Sequence, residues 1–166
     1  MKHILSLIED YGKMKGVCFV IKTLAFPTIV SAVTLIISGF PKLSLCWCET
    51  QGMFVSVLGM LLGFMISSTA IVVTSNNENV KKSKDFKINV TSRGREKYLY
   101  DELIAESVWT TISCAVSVIV LTIAPLVLDA DGGMMLAGIW LTVYCIRCAA
   151  GMVLDMYMIF SAPKNQ

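Results

Sequence analysis

Apolar residues in this chain fall into long blocks, and the charges sit between the blocks. A run of about 18 or more residues with few charges has the length and composition of a membrane span. Four blocks meet that pattern: 17–37, 53–74, 107–128 and 134–160. The fold class this predicts is all-α, an integral membrane protein with four transmembrane helices forming one membrane domain over residues 1–166. Ahead of the first span, Ile4, Leu7, Ile8, Tyr11 and Met14 recur at helical spacing, with Lys2, Glu9, Asp10 and Lys13 largely elsewhere. Residues 2–15 therefore read as an amphipathic interfacial helix, lying on the inner membrane surface or packed on a cytoplasmic loop of its own or a neighbouring subunit.

The first span opens near Lys22, which can snorkel to the interface, and holds Pro27, which should bend it. Gly39-Phe40-Pro41 is expected to end it, and a short outer loop then carries Lys42, Cys46, Trp47, Cys48 and Glu49, with Trp47 as an interface anchor. The second span has no charge from Met53 to Ala70. Between spans two and three lies the only sizeable polar region, 75–106. Its opening, Ser75 to Lys84, reads as a flexible solvated piece; Phe86 to Thr91 alternates as a strand does; Ser92-Arg-Gly-Arg is a turn. Glu96 to Glu106 is helical by pattern, with Leu99 and Leu103 on one side, and continues into span three. Pro125 lies near the far end of that span, Asp129 to Gly133 makes a tight turn, and span four is long enough to tilt.

Charge sets the expected orientation. Lys2, Lys13, Lys15 and Lys22 flank the first span, seven basic residues from Lys81 to Lys97 lie between spans two and three, and Lys164 follows span four. The opposite side holds Lys42 against Glu49, Asp129 and Asp131. Positive residues stay cytoplasmic, so both termini and the 75–106 loop are expected inside. The Asn89-Val-Thr sequon then faces the wrong compartment for glycosylation. The same charges argue against a two-plus-two inverted repeat.

Composition adds exclusions. Hydrophobic residues make up 55% of the chain, above the roughly 45–50% of soluble domains. A net charge of +2 gives no broad basic field, so direct nucleic-acid binding is not expected. The start of the chain lacks the pattern of a cleavable signal peptide, and the first helix is expected to stay. Four of the six cysteines, Cys18, Cys46, Cys48, Cys114, Cys145 and Cys148, lie in or beside apolar blocks, which argues against a disulfide framework. The only histidine is His3, and no phosphate-binding glycine loop, hydrolytic triad or zinc spacing occurs. No enzyme activity, metal or cofactor is expected.

A few residues stand out. Arg147 interrupts an apolar part of span four, where a charge costs roughly 2.5–3.5 kcal/mol on insertion scales. It either faces inward, lining a cavity or pairing with Glu106 or Asp155, or it snorkels to lipid phosphate; Asp155 lies about 12 Å along the helix. Gly59 and Gly63, with Ser56 and Ser67 on either side, form a small-residue stripe that lets two helices approach closely, within one subunit or between subunits. Cys145-Ile-Arg-Cys148 has redox spacing but lies mid-span, where two small apolar residues are the simpler reading. Cys46-Trp-Cys48 faces the oxidising side and could join subunits. Lys81, Lys82, Lys84, Lys87, Arg93 and Arg95 are either topology determinants or a docking surface for a cytoplasmic protein or anionic lipid.

The plan of interface helix, hairpin 17–74, basic loop 81–97 and hairpin 107–160 resembles small four-span subunits of bacterial anti-phage defence systems, specifically the membrane subunit of the Kiwa system. That resemblance implies a homo-oligomer in the bacterial inner membrane that senses phage attachment or membrane perturbation and holds a soluble DNA-binding effector. Two functions are therefore carried forward: a non-enzymatic membrane scaffold or sensor coupled to a cytoplasmic partner, and an oligomeric pore or holin-like lesion former with Arg147 in its path.

Overall fold

The computed structural model describes residues 23–75, 78–85, 87–92, 95–127 and 132–161. The amphipathic segment 2–15 and residues 129–131 of the far turn lie outside them. The chain runs α1 (Thr23–Ser38), α2 (Phe40–Thr74), α3 (Glu78–Asp85), β1 (Lys87–Ser92), β2 (Arg95–Tyr98), α4 (Leu99–Val127) and α5 (Gly132–Ser161). Among the described residues, three stretches are long and apolar enough to cross a membrane: Glu49–Thr74, Leu99–Pro125 and Gly133–Phe160. At 1.5 Å per residue each spans about 40 Å, against a hydrocarbon core of about 30 Å. Only 22–33% of each apolar window is buried within the chain. Ile66, Ile119, Ile123, Leu154 and Met158 all point outward, an exposure suited to lipid and not to water. The architecture is that of a helical membrane protein.

Several boundaries differ from the sequence expectation. The predicted outer loop 42–49 is helical, because α2 begins at Phe40. Gly39 alone separates α1 from α2, at φ 70°. Its N–H still donates to the Leu35 carbonyl at 2.9 Å, closing α1 with a left-handed glycine. Pro41 falls in the first turn of α2, where its missing N–H has no helical partner to lose. The residues read as a stop therefore stop one helix and start the next. Trp47 is consequently no interface anchor: it is buried in the core and stacks on Phe54 at 6.2 Å between ring centroids.

The loop is also more ordered than expected. Part of the stretch read as flexible, Ser75 to Lys84, lies in α3, with Glu78 in its first turn and Lys82 and Lys84 in its last, each complementing the helix dipole. Val80 and Ser83 turn one face of α3 inward, and Val80 packs with Val72, Leu103 and Ile159 from the three long helices. Asn79 donates to the Phe160 carbonyl near the end of α5 at 3.4 Å. The expected strand at 86–91 appears as β1, paired antiparallel with β2 and bulged between Ile88 and Thr91. Residues 96–98, read as helix, form the end of β2. The helix waits until Leu99 because the Tyr98 N–H donates to Asp101 Oδ2 at 3.1 Å, half of a capping box. From there α4 runs unbroken to Val127.

The three long helices meet along seams with a spacing close to 3.5 residues. On α4 the inward positions are Leu103, Ser107, Thr110, Cys114, Ser117 and Leu121; on α5 they include Gly138, Thr142, Cys145, Ala149 and Met152. Such spacing belongs to left-handed packing at about 20°. The middle of each seam is small or weakly polar, which lets backbones approach closely where lipid supplies no hydrophobic drive. Most hydroxyls in the spans are bonded within their own helix, as Thr69 is to the Met65 carbonyl (2.7 Å), Thr110 to Glu106 (2.9 Å) and Ser117 to Ser113 (2.7 Å).

Pro125 shows how one helix repairs another. Lacking an N–H, it cannot bond the carbonyl of Leu121, four residues back. Gln51 of α2 takes over, its Nε2 donating to that oxygen at 2.9 Å. Gln51→Leu should lower stability by about 1–2 kcal/mol, read from unfolding in a denaturing-detergent titration. In a Pro125→Ala background, where the backbone donor returns, the same substitution should have little effect. An equal loss in both backgrounds would show that the glutamine acts by packing alone.

Candidate intramembrane site

The polar side chains of the seam gather toward the end that carries α3 and the hairpin. Glu106, two turns into α4, is only 2% exposed. Its Oε1 lies 3.2 Å from where a Cβ would sit on Gly151, so the carboxyl rests in a notch of α5 that a glycine leaves open. Ser107, the next residue, shares a hydrogen bond with Thr69 of α2. Buried Ser68 and Thr110 lie on the same seams, and Cys148 is buried three residues before Gly151 on α5. Three helices thus enclose one carboxyl among small side chains, hydroxyls and a thiol, within the stretch Leu99–Pro125 that is apolar enough to span.

Arg147 lies on the exposed face of α5, not in an interior cavity of the single chain. The part of α5 that meets Glu106 is Gly151, one turn farther on. Asp155, another turn along, is half-buried. Cys145 and Cys148 both turn into the seam: Cys145 sits 3.6 Å from Ser117 Oγ and shares a core cluster with Cys114. Among the described residues, no group of three or more His, Cys, Asp or Glu side chains is placed to hold a metal ion.

Ser56, Gly59, Gly63 and Ser67 form a stripe along the exposed side of α2. A Cβ added at Gly59 or Gly63 would meet nothing within 4 Å. Among the described residues, the stripe therefore takes no part in packing inside the chain. Of the basic set, Lys81, Lys82 and Lys84 are exposed on α3, with Lys84 Nζ 4.7 Å from the centre of the Tyr100 ring. Lys87 and Arg95 belong to β1 and β2. Arg93, like the side chains of Lys87, Arg95, Cys46 and Cys48, falls outside what the structure describes.

One contact set has no counterpart in the sequence reading. Trp109 Nε1 donates to Tyr144 Oη at 2.9 Å, Trp140 stacks on Tyr144 at 5.4 Å, and Trp140 Nε1 donates to Thr28 Oγ1 at 3.1 Å. This aromatic bracket ties α4, α5 and α1 together. The signal for it was an indole N–H in mid-span, which requires an acceptor in a medium without water.

Compared with known proteins, the chain matches no described family, no characterised protein and no solved structure.

Proposed function

We propose that the chain is a four-span, non-enzymatic subunit of a homo-oligomer, a scaffold or sensor that couples a membrane event to a cytoplasmic protein. In this reading α1 with the residues before it is the fourth span, both termini and residues 75–98 face the cytoplasm, and the setting is a bacterial inner membrane. Anti-phage defence in the manner of the Kiwa membrane subunit is the process that best suits this plan. The observation that carries the reading is α4, one helix from the foot of the hairpin at Leu99 to Val127. A tilt or rotation of that helix in the bilayer reaches β2 and the ordered α3 without an intervening loop. The pore reading gains less support, because Leu58, Met65, Leu121 and Met152 fill the centre of the three-helix seam. A conducting path would have to run between subunits, with the exposed Arg147 on its wall.

The test is charge reversal on α3. With Lys81, Lys82 and Lys84 all changed to Glu, recovery of the cytoplasmic partner with the tagged chain should drop at least about tenfold, the equivalent of 1.4 kcal/mol, while the oligomer stays intact. Reporter fusions at residues 45 and 90 must run beside it, because the same lysines direct topology. Unchanged recovery with unchanged orientation would reduce α3 to a topology signal and sink the mechanism. A cytoplasmic reporter at 45, or an external one at 90, would sink the arrangement of spans.

A further inference from the structure

We infer that Arg147 anchors a helix-docking face on α5, and that its occupant is a membrane-spanning helix of another protein that carries a carboxylate at mid-depth. The first observation is where the residue stands. Arg147 is at the middle of Gly133–Phe160, with about 20 Å of helix on either side. Snorkelling serves basic residues near the ends of a span, and this one is far from both. The second observation is its surroundings. Arg147 is exposed, and among the described residues it has no hydrogen-bond or ion-pair partner. Its neighbours on that side are Ile146, Ala150 and Leu154, all exposed. A guanidinium carries a charge and five donors, and lipid chains answer neither. Ala150, one turn on, is small enough for a second backbone to come close beside it.

The acid that completes this face comes from outside the chain. Glu106 is buried, Glu102 and Asp155 are half-buried, and each has an interaction of its own. Glu49 stands at the end of its spanning stretch, and Glu78 and Asp85 lie on α3. No described acid is exposed at the depth of Arg147. Two copies meeting by this face would set Arg147 against Arg147, because a two-fold contact uses the same patch on both sides, and the charges would repel. A carboxylate on a foreign helix suits the site best: it accepts two parallel bonds from the guanidinium fork and neutralises its charge. That such a helix delivers the event sensed rests on the sensor reading proposed above; the pairing does not.

The experiment uses the full chain, carrying a fluorescent donor, in phosphatidylcholine vesicles. The probe is a single-span polyleucine helix with an acceptor dye and one Glu at its centre. Sister probes place Gln or Leu at the centre, or move the Glu two turns toward one end. Energy transfer against the probe-to-lipid ratio should show the central-Glu helix bound about tenfold tighter than the Leu and shifted-Glu helices. Arg147→Leu should bring it down to the Leu level, and Arg147→Lys, a point charge without the fork, should keep part of the preference. Unfolding of Arg147→Leu in detergent should match that of the unaltered chain, whose own probe series stands without any variant. Equal binding of the Glu and Leu helices, or a Glu preference that survives in Arg147→Leu, would overturn the proposal. So would a Gln helix that binds as well as Glu, since the face would then recognise a neutral acceptor. Displacement of the probe when phosphatidylglycerol replaces phosphatidylcholine would overturn it in favour of lipid phosphate. Crosslinking of copies through Ala150→Cys would overturn it in favour of a second copy, and an anion current lost in Arg147→Leu in favour of a pore wall. A failed pull-down of the cytoplasmic partner with intact binding of the Glu helix would remove the sensor reading and leave this face standing.

Discussion

Gly138→Leu should be among the most damaging single substitutions in this chain. Gly138 is buried where α5 crosses α2, and a Cβ there would sit 3.0 Å from both Phe54 Cδ2 and Trp47 Cζ3 and 3.1 Å from Phe54 Cε2. Those rings are stacked on each other and belong to the same core as Leu58, Leu121 and Cys145. Neither can swing away without opening that core. Overpacking of this kind costs typically about 1–3 kcal/mol, and a leucine between two rings belongs at or above the top of that range. The expected result is loss of most folded protein from mild-detergent extracts, with the remainder unfolding much earlier in a denaturing-detergent titration. Phe54→Ala in the same chain should restore part of the loss, because it removes the ring that the new side chain strikes. Normal stability in Gly138→Leu would mean that α2 and α5 do not cross as described.

Gly59→Leu combined with Gly63→Leu should have the opposite profile: an intact subunit that no longer assembles. Both positions look out from α2 into open space, so leucine there strikes nothing within the chain and replaces a poor helix former with a good one. If the stripe with Ser56 and Ser67 is where a second copy of α2 packs, two leucines hold the backbones apart and remove the close contact on which association in lipid depends. Dissociation should rise by about tenfold or more, equivalent to at least 1.4 kcal/mol, by native mass spectrometry or crosslinking in mild detergent. Unchanged assembly would assign the stripe to lipid and move the subunit interface elsewhere. The two glycine pairs of outcomes are also a check on each other, because the same change, glycine to leucine, is disruptive inside the bundle and silent for the fold outside it.

The long helices were legible from length and apolarity alone, since lipid demands both of a span. Their ends were not. Pro41 reads equally as the end of one helix or the first turn of the next, and only Gly39 beside it, at φ 70°, decides which. The strand at Ile88 and Val90 showed as a period of two, but its partner at 95–98 carries Arg, Glu, Lys and Tyr, with no alternation to find. Helix α3 has a single buried apolar residue, Val80, and otherwise reads as solvated charge; its helical signal lies in the placement of Glu78, Lys82 and Lys84 at its two ends. Which side of each span faces inward was hidden for a different reason. When both faces are apolar, hydrophobic periodicity vanishes; on α4 the small and weakly polar Ser107, Thr110, Cys114 and Ser117 mark the interior by being less hydrophobic than the outside, whereas on α2 the small stripe Ser56, Gly59, Gly63 and Ser67 faces outward. Read in that inverted sense, Glu106 belongs inside and Arg147 does not, since Glu106 joins the Leu103–Thr110 row while Arg147 shares a side with Ile146 and Leu154.

The hydroxyls that bond back to carbonyls one turn earlier have a consequence for biogenesis. Thr69, Thr110 and Ser117 are already bonded within their own helices. Each of these three hydroxyls can therefore be satisfied as its own helix leaves the translocon, before a neighbour has been synthesised. Other groups must wait for a partner helix. Gln51 must wait for the Leu121 carbonyl, and Trp109 for Tyr144. The arrival of α4 answers the first and that of α5 the second, so lateral docking into the bundle would follow the order in which the ribosome delivers the helices.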